Sequence, residues 1–324
     1  MSERLLPTLA DVRTAARRIA PHVHRTPVMR SRALDAIAGA SLYFKCENLQ
    51  RVGAFKMRGA TNAIFSLSDA DASRGVATHS SGNHAQAVAL AAKLRGIDAH
   101  VVMPENAPAV KRAAVAGYGA RIVTCVSTLA AREQTLAEVV EATGATAIHP
   151  YDDALVIAGQ GTAALEFLEQ EPELEVLITP LGGGGLLSGT TLAASSQGSA
   201  LRVLGAEPAG ADDAHRSLTS GVRQPCLNPE TVADGLRTSL GELPFRILRE
   251  HEVEVRLVEE DAIVDAMRLV WERVKLVIEP SSAVPVATAL FDHGAELRGK
   301  RVGIVLSGGN VDLGALLFGS RLGT

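Results

Sequence analysis

Strand and helix take turns along most of this chain, and that alternation constrains its fold more than any other feature. Strand patterns at Val76-Ala77-Thr78-His79, Ala99-His100-Val101-Val102-Met103, Arg121-Ile122-Val123-Thr124-Cys125 and Thr146-Ala147-Ile148-His149 are separated by helical patterns over 83–95, 109–117 and 129–142. A second series follows, with strands near Val176-Leu177-Ile178, Arg202–Ala206, Val253–Leu257 and Val302–Leu306, and helices over 158–169, 186–196, 261–274 and 283–291. Strands that return through a helix pair in parallel with right-handed crossovers, so the class is α/β with open, mostly parallel sheets. The first series predicts a small unit over 70–150. A further strand pattern at Leu42–Cys46 lets 1–69 join 151–324 in a larger unit, with a lead-in helix from Leu9 to Ala20 closed by Pro21. Ser217 to Pro229, with two prolines and no periodicity, reads as a surface loop.

A chain of 324 residues that is 47% hydrophobic has ample core for two such units. Its net charge of -4 makes no electrostatic case for nucleic acid or an acidic membrane as partner. The three cysteines, Cys46, Cys125 and Cys226, are odd in number and form no CxxC pair, which argues against a disulfide framework or thiolate metal site. Met1-Ser2-Glu3-Arg4-Leu5-Leu6-Pro7 lacks a long apolar h-region and no later stretch gives about 18 uninterrupted apolar residues, so neither secretion nor a membrane span is expected. The expected compartment is the cytoplasm.

In open parallel sheets, ligands bind outside the carboxyl ends of the strands. Polar and glycine-rich segments cluster there. Lys56, in Gly53-Ala54-Phe55-Lys56-Met57-Arg58-Gly59-Ala60, reads as leaving a strand into a glycine-bounded turn between two apolar side chains. Poor solvation lowers an amine's pKa and favours imine formation with an aldehyde; taken alone, the stretch fits an ordinary surface lysine better. Ser80-Ser81-Gly82-Asn83-His84 stands at the mouth of a helix, as an N-cap or as an anion contact. Gly182-Gly183-Gly184-Gly185 lies between strand and helix, where bare backbone N–H groups can face a phosphate. It lacks the Lys-Ser/Thr of a nucleotide triphosphate loop and the spaced glycines of a dinucleotide site, so a phosphate monoester is the better guest. Ser307-Gly308-Gly309-Asn310 follows a third strand. A lysine for an aldehyde and a cradle for one phosphate together point to pyridoxal 5'-phosphate.

These motifs, with Val156-Ile157-Ala158-Gly159-Gln160-Gly161-Thr162, occur in one order over most of the chain and resemble the serine/threonine dehydratase and serine racemase family. That family has fold type II of the pyridoxal phosphate enzymes, tryptophan synthase β-like, with the cofactor between two domains. The resemblance implies that Lys56 holds the cofactor covalently and removes the substrate's α-proton. Phe55 would pack beside the ring, Asn83 would bond its 3-hydroxyl, Gly182 to Gly185 with Leu186 would hold the phosphate, and Ser307 would face the pyridine nitrogen. Ser81 would be the second catalytic residue, reprotonating the opposite face in a racemase. Ser80, Ser81, Asn83 and His84 would meet the substrate carboxylate; Arg132 matches a further carboxylate contact of the racemase branch, and equally fits a solvated helix charge. The family usually carries serine or threonine where this chain has Ala54.

Glu207 and Asp213 flank a turn after a strand pattern and are hard oxygen donors. Alone they read as an acidic turn; the resemblance implies a Mg²⁺, Ca²⁺ or Mn²⁺ site of Glu207, the Ala211 carbonyl and Asp213, with Asp212 facing solvent. His79, His84 and His149 are too scattered for a zinc triad. The implied activity is ammonia elimination from L-serine or L-threonine by a homodimer, with serine racemisation or 3-hydroxyaspartate elimination as alternatives and cysteine-synthase-like β-replacement as a more distant one. Pro150-Tyr151-Asp152-Asp153 leans to the dehydratase branch, whereas Glu207 to Asp213 leans to the racemase branch. With the chain ending soon after Ser307, no C-terminal amino-acid-sensing domain is expected.

Overall fold

The computed structural model describes residues 5–107, 109–196 and 201–312. Two sheets organise them. The larger has six strands in the order β1 (Val28–Met29), β2 (Ser41–Cys46), β10 (Arg301–Leu306), β7 (Val176–Pro180), β8 (Arg202–Pro208) and β9 (Glu254–Val258). All its pairings are parallel except β1 with β2. The smaller sheet runs β5 (Arg121–Cys125), β4 (Ala99–Pro104), β3 (Val76–His79), β6 (Thr146–Ala147), parallel throughout. β7 is buried at every position, as a strand covered on both faces must be.

Helices cover the large sheet on both sides. On one face lie α2 (Arg32–Ala38), α12 (Glu260–Arg273) and α13 (Pro280–Phe291), whose Leu34, Ile263 and Val284 pack on Phe44 and Ile304. On the other lie α1 (Leu9–Ile19), α8 (Ala154–Gln170) and α9 (Gly185–Ala194), with Val12, Ile157 and Leu192 against Tyr43 and Leu177. α10 (Asp213–Ser220) and α11 (Glu242–Glu250) close the β9 edge around Leu187 and Leu248. Around the small sheet pack α3 (Lys56–Phe65), α4 (Asp69–Ala72), α5 (Asn83–Arg95), α6 (Ala109–Gly117) and α7 (Leu129–Thr143). Met57 and Ile64 of α3 share a core with Val76 and Val88. The register that sets Ile304 between Phe44 and Ile178 puts the carboxyl ends of β2, β10 and β7 along one rim.

Three local readings of the sequence need correction. Lys56 is not in a turn; it is the first residue of α3. Gly59 is consequently inside the helix. A Cβ there would come 2.9 Å from the Val156 carbonyl oxygen, so the glycine serves helix contact rather than a bend. α10 takes the start of the supposed 217–229 loop, and the pattern gave no sign of α2 or α11. Pro244 sits in the first turn of α11, where a missing N–H leaves no bond unmade.

Candidate active site

The N–H of Phe55 donates to the Ser307 carbonyl at 2.9 Å, and Ala54 bridges to Gly308, so the start of α3 is stitched to the end of β10. From there Lys56 Nζ reaches across to the Pro150 carbonyl at 2.8 Å, 5.1 Å from the Phe55 ring centre. Burial lowers its pKa to about 8, although the Glu279 carboxylate pulls the other way.

The glycine loop follows β7 on the same rim. A Cβ on Gly182 would come 3.0 Å from Leu236 Cα, on Gly183 2.3 Å from the Tyr151 ring, and on Gly185 3.1 Å from Tyr151 Cα. Gly184 has φ +91° and caps α9 without a side-chain hydrogen bond; a Cβ there would come 2.5 Å from Pro244. The backbone is therefore bare because its walls leave no room for side chains. The first N–H groups of α9 take no side-chain cap, which is the donor set for a phosphate.

A family model described as "Pyridoxal-phosphate dependent enzyme" matches residues 19–308. The chain belongs to that family. It is 51% identical over 312 residues to a serine racemase of Dictyostelium discoideum, covering 95% of this chain and 96% of that one. It is 49% identical over 311 residues to a β-hydroxyaspartate dehydratase of Paracoccus denitrificans, covering 96% and 98%. The solved structure of maize serine racemase superposes with a TM-score of 0.94 at 48% identity, covering 98% of this chain and 97% of the other. The fold is thus fold type II of the pyridoxal phosphate enzymes. The residues fit the cofactor: an amine of lowered pKa stands on the rim that also carries the bare glycine loop.

The other expected residues lie around this centre. Asn83 opens α5 and donates Nδ2 to both Glu279 oxygens, at 3.0 and 3.1 Å, while its Oδ1 accepts from Asn310 at 2.9 Å. Ser307 is 2% exposed and 3.0 Å from the Ser282 hydroxyl. Leu186 is buried in the first turn of α9. Ser80 and Ser81 are half-buried after β3, and the Ser80 hydroxyl accepts the Gly82 N–H at 3.3 Å. His84 is turned inward, with Nε2 3.1 Å from the Ile148 carbonyl; burial first, and then the Lys56 charge, lower its pKa to about 3, so it is neutral. Arg132 lies in the first turn of α7, its Nε on the Thr128 carbonyl at 3.3 Å; burial first, and then the Arg132 charge, lower the pKa of His79.

Sequence reasoning missed Glu279 and the Pro150 carbonyl. Glu279 is buried among Asn83, Gly308 and Lys56, and burial raises its pKa to about 7 despite the Asn83 amide. In sequence it only precedes Pro280, the look of an ordinary helix start. No residue type could have marked a backbone carbonyl.

Glu207 and Asp213 lie apart from this centre, each 1% exposed, beside a 3-10 turn that ends at Ala211. Glu207 accepts the N–H groups of Ala214 at 2.9 Å and His215 at 2.8 Å, and burial raises its pKa to about 8. Asp213 accepts the Leu240 N–H at 2.8 Å through Oδ2, while Oδ1 is buried with no hydrogen-bond partner and the Cys226 thiol nearby. A buried carboxylate oxygen with only a weak thiol donor beside it suits a hard cation. Among the described residues no three His, Cys, Asp or Glu side chains converge as a ligand set; the expected set uses two carboxylates and a carbonyl. Asp212 pairs at the surface with Arg216 at 2.8 Å.

Proposed function

We propose that the chain is a pyridoxal-phosphate-dependent ammonia-lyase acting on a small β-hydroxy amino acid, L-serine or L-threonine. The observation that carries the reading is Lys56, an amine of pKa about 8 on the rim that also presents the uncapped N-terminus of α9. When bound, the cofactor supplies the electron-withdrawing group that acidifies the substrate's α-hydrogen. Lys56 would take that proton as a neutral amine. The donors at Ser80 to Asn83 would hold the substrate carboxylate, with Ser81 on the face opposite Lys56. Ser307 would offer the ring nitrogen a hydroxyl rather than a carboxylate, which suits elimination. The substrate would lose its β-hydroxyl as water, and hydrolysis would then release ammonia and a 2-oxo acid. Domains of 1–69 with 151–324, and 70–150, would enclose this centre.

Serine racemisation and 3-hydroxyaspartate elimination are the second reading, favoured by the names of the two relatives above. The test is one panel of L- and D-serine, L-threonine and both 3-hydroxyaspartates, with no thiol added. Formation of 2-oxo acid and ammonia supports elimination, and inverted serine without ammonia supports racemisation. If none of these products forms but added thiol yields a β-thio-substituted amino acid, the enzyme is a β-replacement catalyst. We also infer a Mg²⁺, Ca²⁺ or Mn²⁺ ion on Glu207, the Ala211 carbonyl and Asp213, a homodimer and a cytoplasmic setting; no described helix is long and apolar enough to cross a membrane.

A further inference from the structure

Behind Lys56 lies a buried ionic cluster that the reaction does not use. Arg58, two residues along α3 and 1% exposed, sends Nε and Nη2 to the two oxygens of Glu47, each at 2.7 Å, and Nη1 to Glu166 at 3.2 Å. Glu47 is in the 3-10 turn after β2, and Glu166 is on α8. Lys45 of β2 completes the set, with Nζ on Glu166, on Gln170 Oε1 at 2.7 Å and on the Thr26 carbonyl at 2.8 Å; the Thr26 hydroxyl donates to Glu47 at 2.7 Å. Two cations face two carboxylates, so the cluster is neutral as a unit.

Such a cluster is a poor source of net stability, because desolvating four charges cancels most of their attraction and apolar side chains of the same volume would serve as well. What it provides is directional. A planar guanidinium gripped at both edges tolerates little rotation. That matters because the first turn of α3, which begins at Lys56, has no side-chain cap and no acidic residue. One side of the turn is tied to Ser307 through the Phe55 N–H; on the other, the Arg58 N–H closes the turn on the Phe55 carbonyl at 2.9 Å, the Gly59 N–H donates to Gln160 Oε1 at 3.1 Å, and the Arg58 side chain adds the charged grip of the cluster.

We propose that Arg58, clamped by Glu47 and Glu166, is a positioning residue that sets the rotation of the first turn of α3 and so aims the Lys56 amine. The kinetic half of the test rests on the lyase reading above; the spectroscopic half needs only bound pyridoxal phosphate. Arg58→Lys, Arg58→Met and the double variant Glu47→Gln/Arg58→Met are compared with wild type. Urea midpoints, visible circular dichroism of the bound cofactor, and kcat and KM are measured for each. Arg58→Lys is expected to lower kcat about 10- to 100-fold, the scale set by small misplacements of a reacting group, and to weaken the visible dichroism. KM should stay within about threefold. The double variant removes one charge of each sign, so it should regain stability over Arg58→Met without regaining kcat or dichroism. Recovery of all three together would make the cluster merely structural and overturn the proposal, as would wild-type dichroism and kcat in Arg58→Lys. A wild-type chain that binds cofactor but yields no product sinks the lyase reading alone, and the dichroism then decides for Arg58.

Discussion

At the scale of single residues, the chemistry turns on an amine held at a pKa of about 8. At neutral pH roughly a tenth of such an amine is neutral, against well under a thousandth for an exposed lysine. Glu279 opposes this shift, so removing its charge should leave desolvation unopposed and lower the Lys56 pKa further. The rate of pyridoxal phosphate capture should therefore rise with pH to a midpoint near 8 in wild type, and that midpoint should move down in Glu279→Gln. An unchanged or raised midpoint, measured by stopped-flow absorbance, would break the link between the two groups. Gly184 invites a second test at this scale. Alanine there would be held at φ +91° and press on Pro244 and Leu240. The left-handed conformation alone costs about 1–2 kcal/mol, so Gly184→Ala should weaken cofactor binding in a fluorescence titration by about tenfold or more while the chain still folds. Ala54 is fully buried in its bridge to Gly308, and Lys56 is held there by backbone bonds that no hydroxyl at 54 is needed to make.

Among the elements, α8 aligns the two halves of the site. Its Gly159 meets α3, where a Cβ would come 2.6 Å from Gly59 Cα and 2.7 Å from the Arg58 carbonyl oxygen; its Gly161 meets α9, where a Cβ would come 2.6 Å from the Gly189 carbonyl oxygen. One helix thus spaces the lysine helix from the phosphate-loop helix by backbone contact. Because backbone cannot yield as a flexible side chain can, Gly159→Ala should cost about 1–3 kcal/mol in a urea melt, and it should weaken cofactor binding as well. A stability loss with unchanged affinity would show that α8 spacing does not reach the site. Much of this architecture was legible in the sequence. The apolar runs of β3, β4, β7 and β10 announce themselves, and the bounds of α5 and α6 matched the pattern. What escaped was set by tertiary contact: α3 begins at Lys56 because the N–H of Phe55 finds Ser307, and α11 forms because Leu243, Ile247 and Leu248 have cores to enter. The lysine and the glycine loop could be read from composition and position, whereas Glu279 could not, because its address depends on the start of α13 meeting Asn83 at the start of α5.

Across the whole molecule, Lys111 of α6 beside the small sheet reaches Asp234 in the large-sheet loops at 3.0 Å. That pair is half-exposed and worth little by itself. The 236–241 segment makes a deeper connection. Asp213 Oδ2 holds the Leu240 N–H, the Gly241 N–H donates to the Gly183 carbonyl at 3.1 Å, and Leu236 and Leu240 wall the glycine loop. A cation at Asp213 is therefore linked to the phosphate cradle through one residue, Leu240. It would satisfy Oδ1 and favour the ionised form of two carboxyls whose pKa values burial raises. Chelation should lower the melting temperature and weaken cofactor binding together, and Mg²⁺ should restore both. Asp213→Ala loses the Leu240 hydrogen bond, so its starting stability should drop by about 1–3 kcal/mol. Its melting temperature should then no longer respond to chelator or Mg²⁺. If the variant still responds as wild type does, the ion is held elsewhere; if wild type does not respond, Glu207 serves only to cap α10.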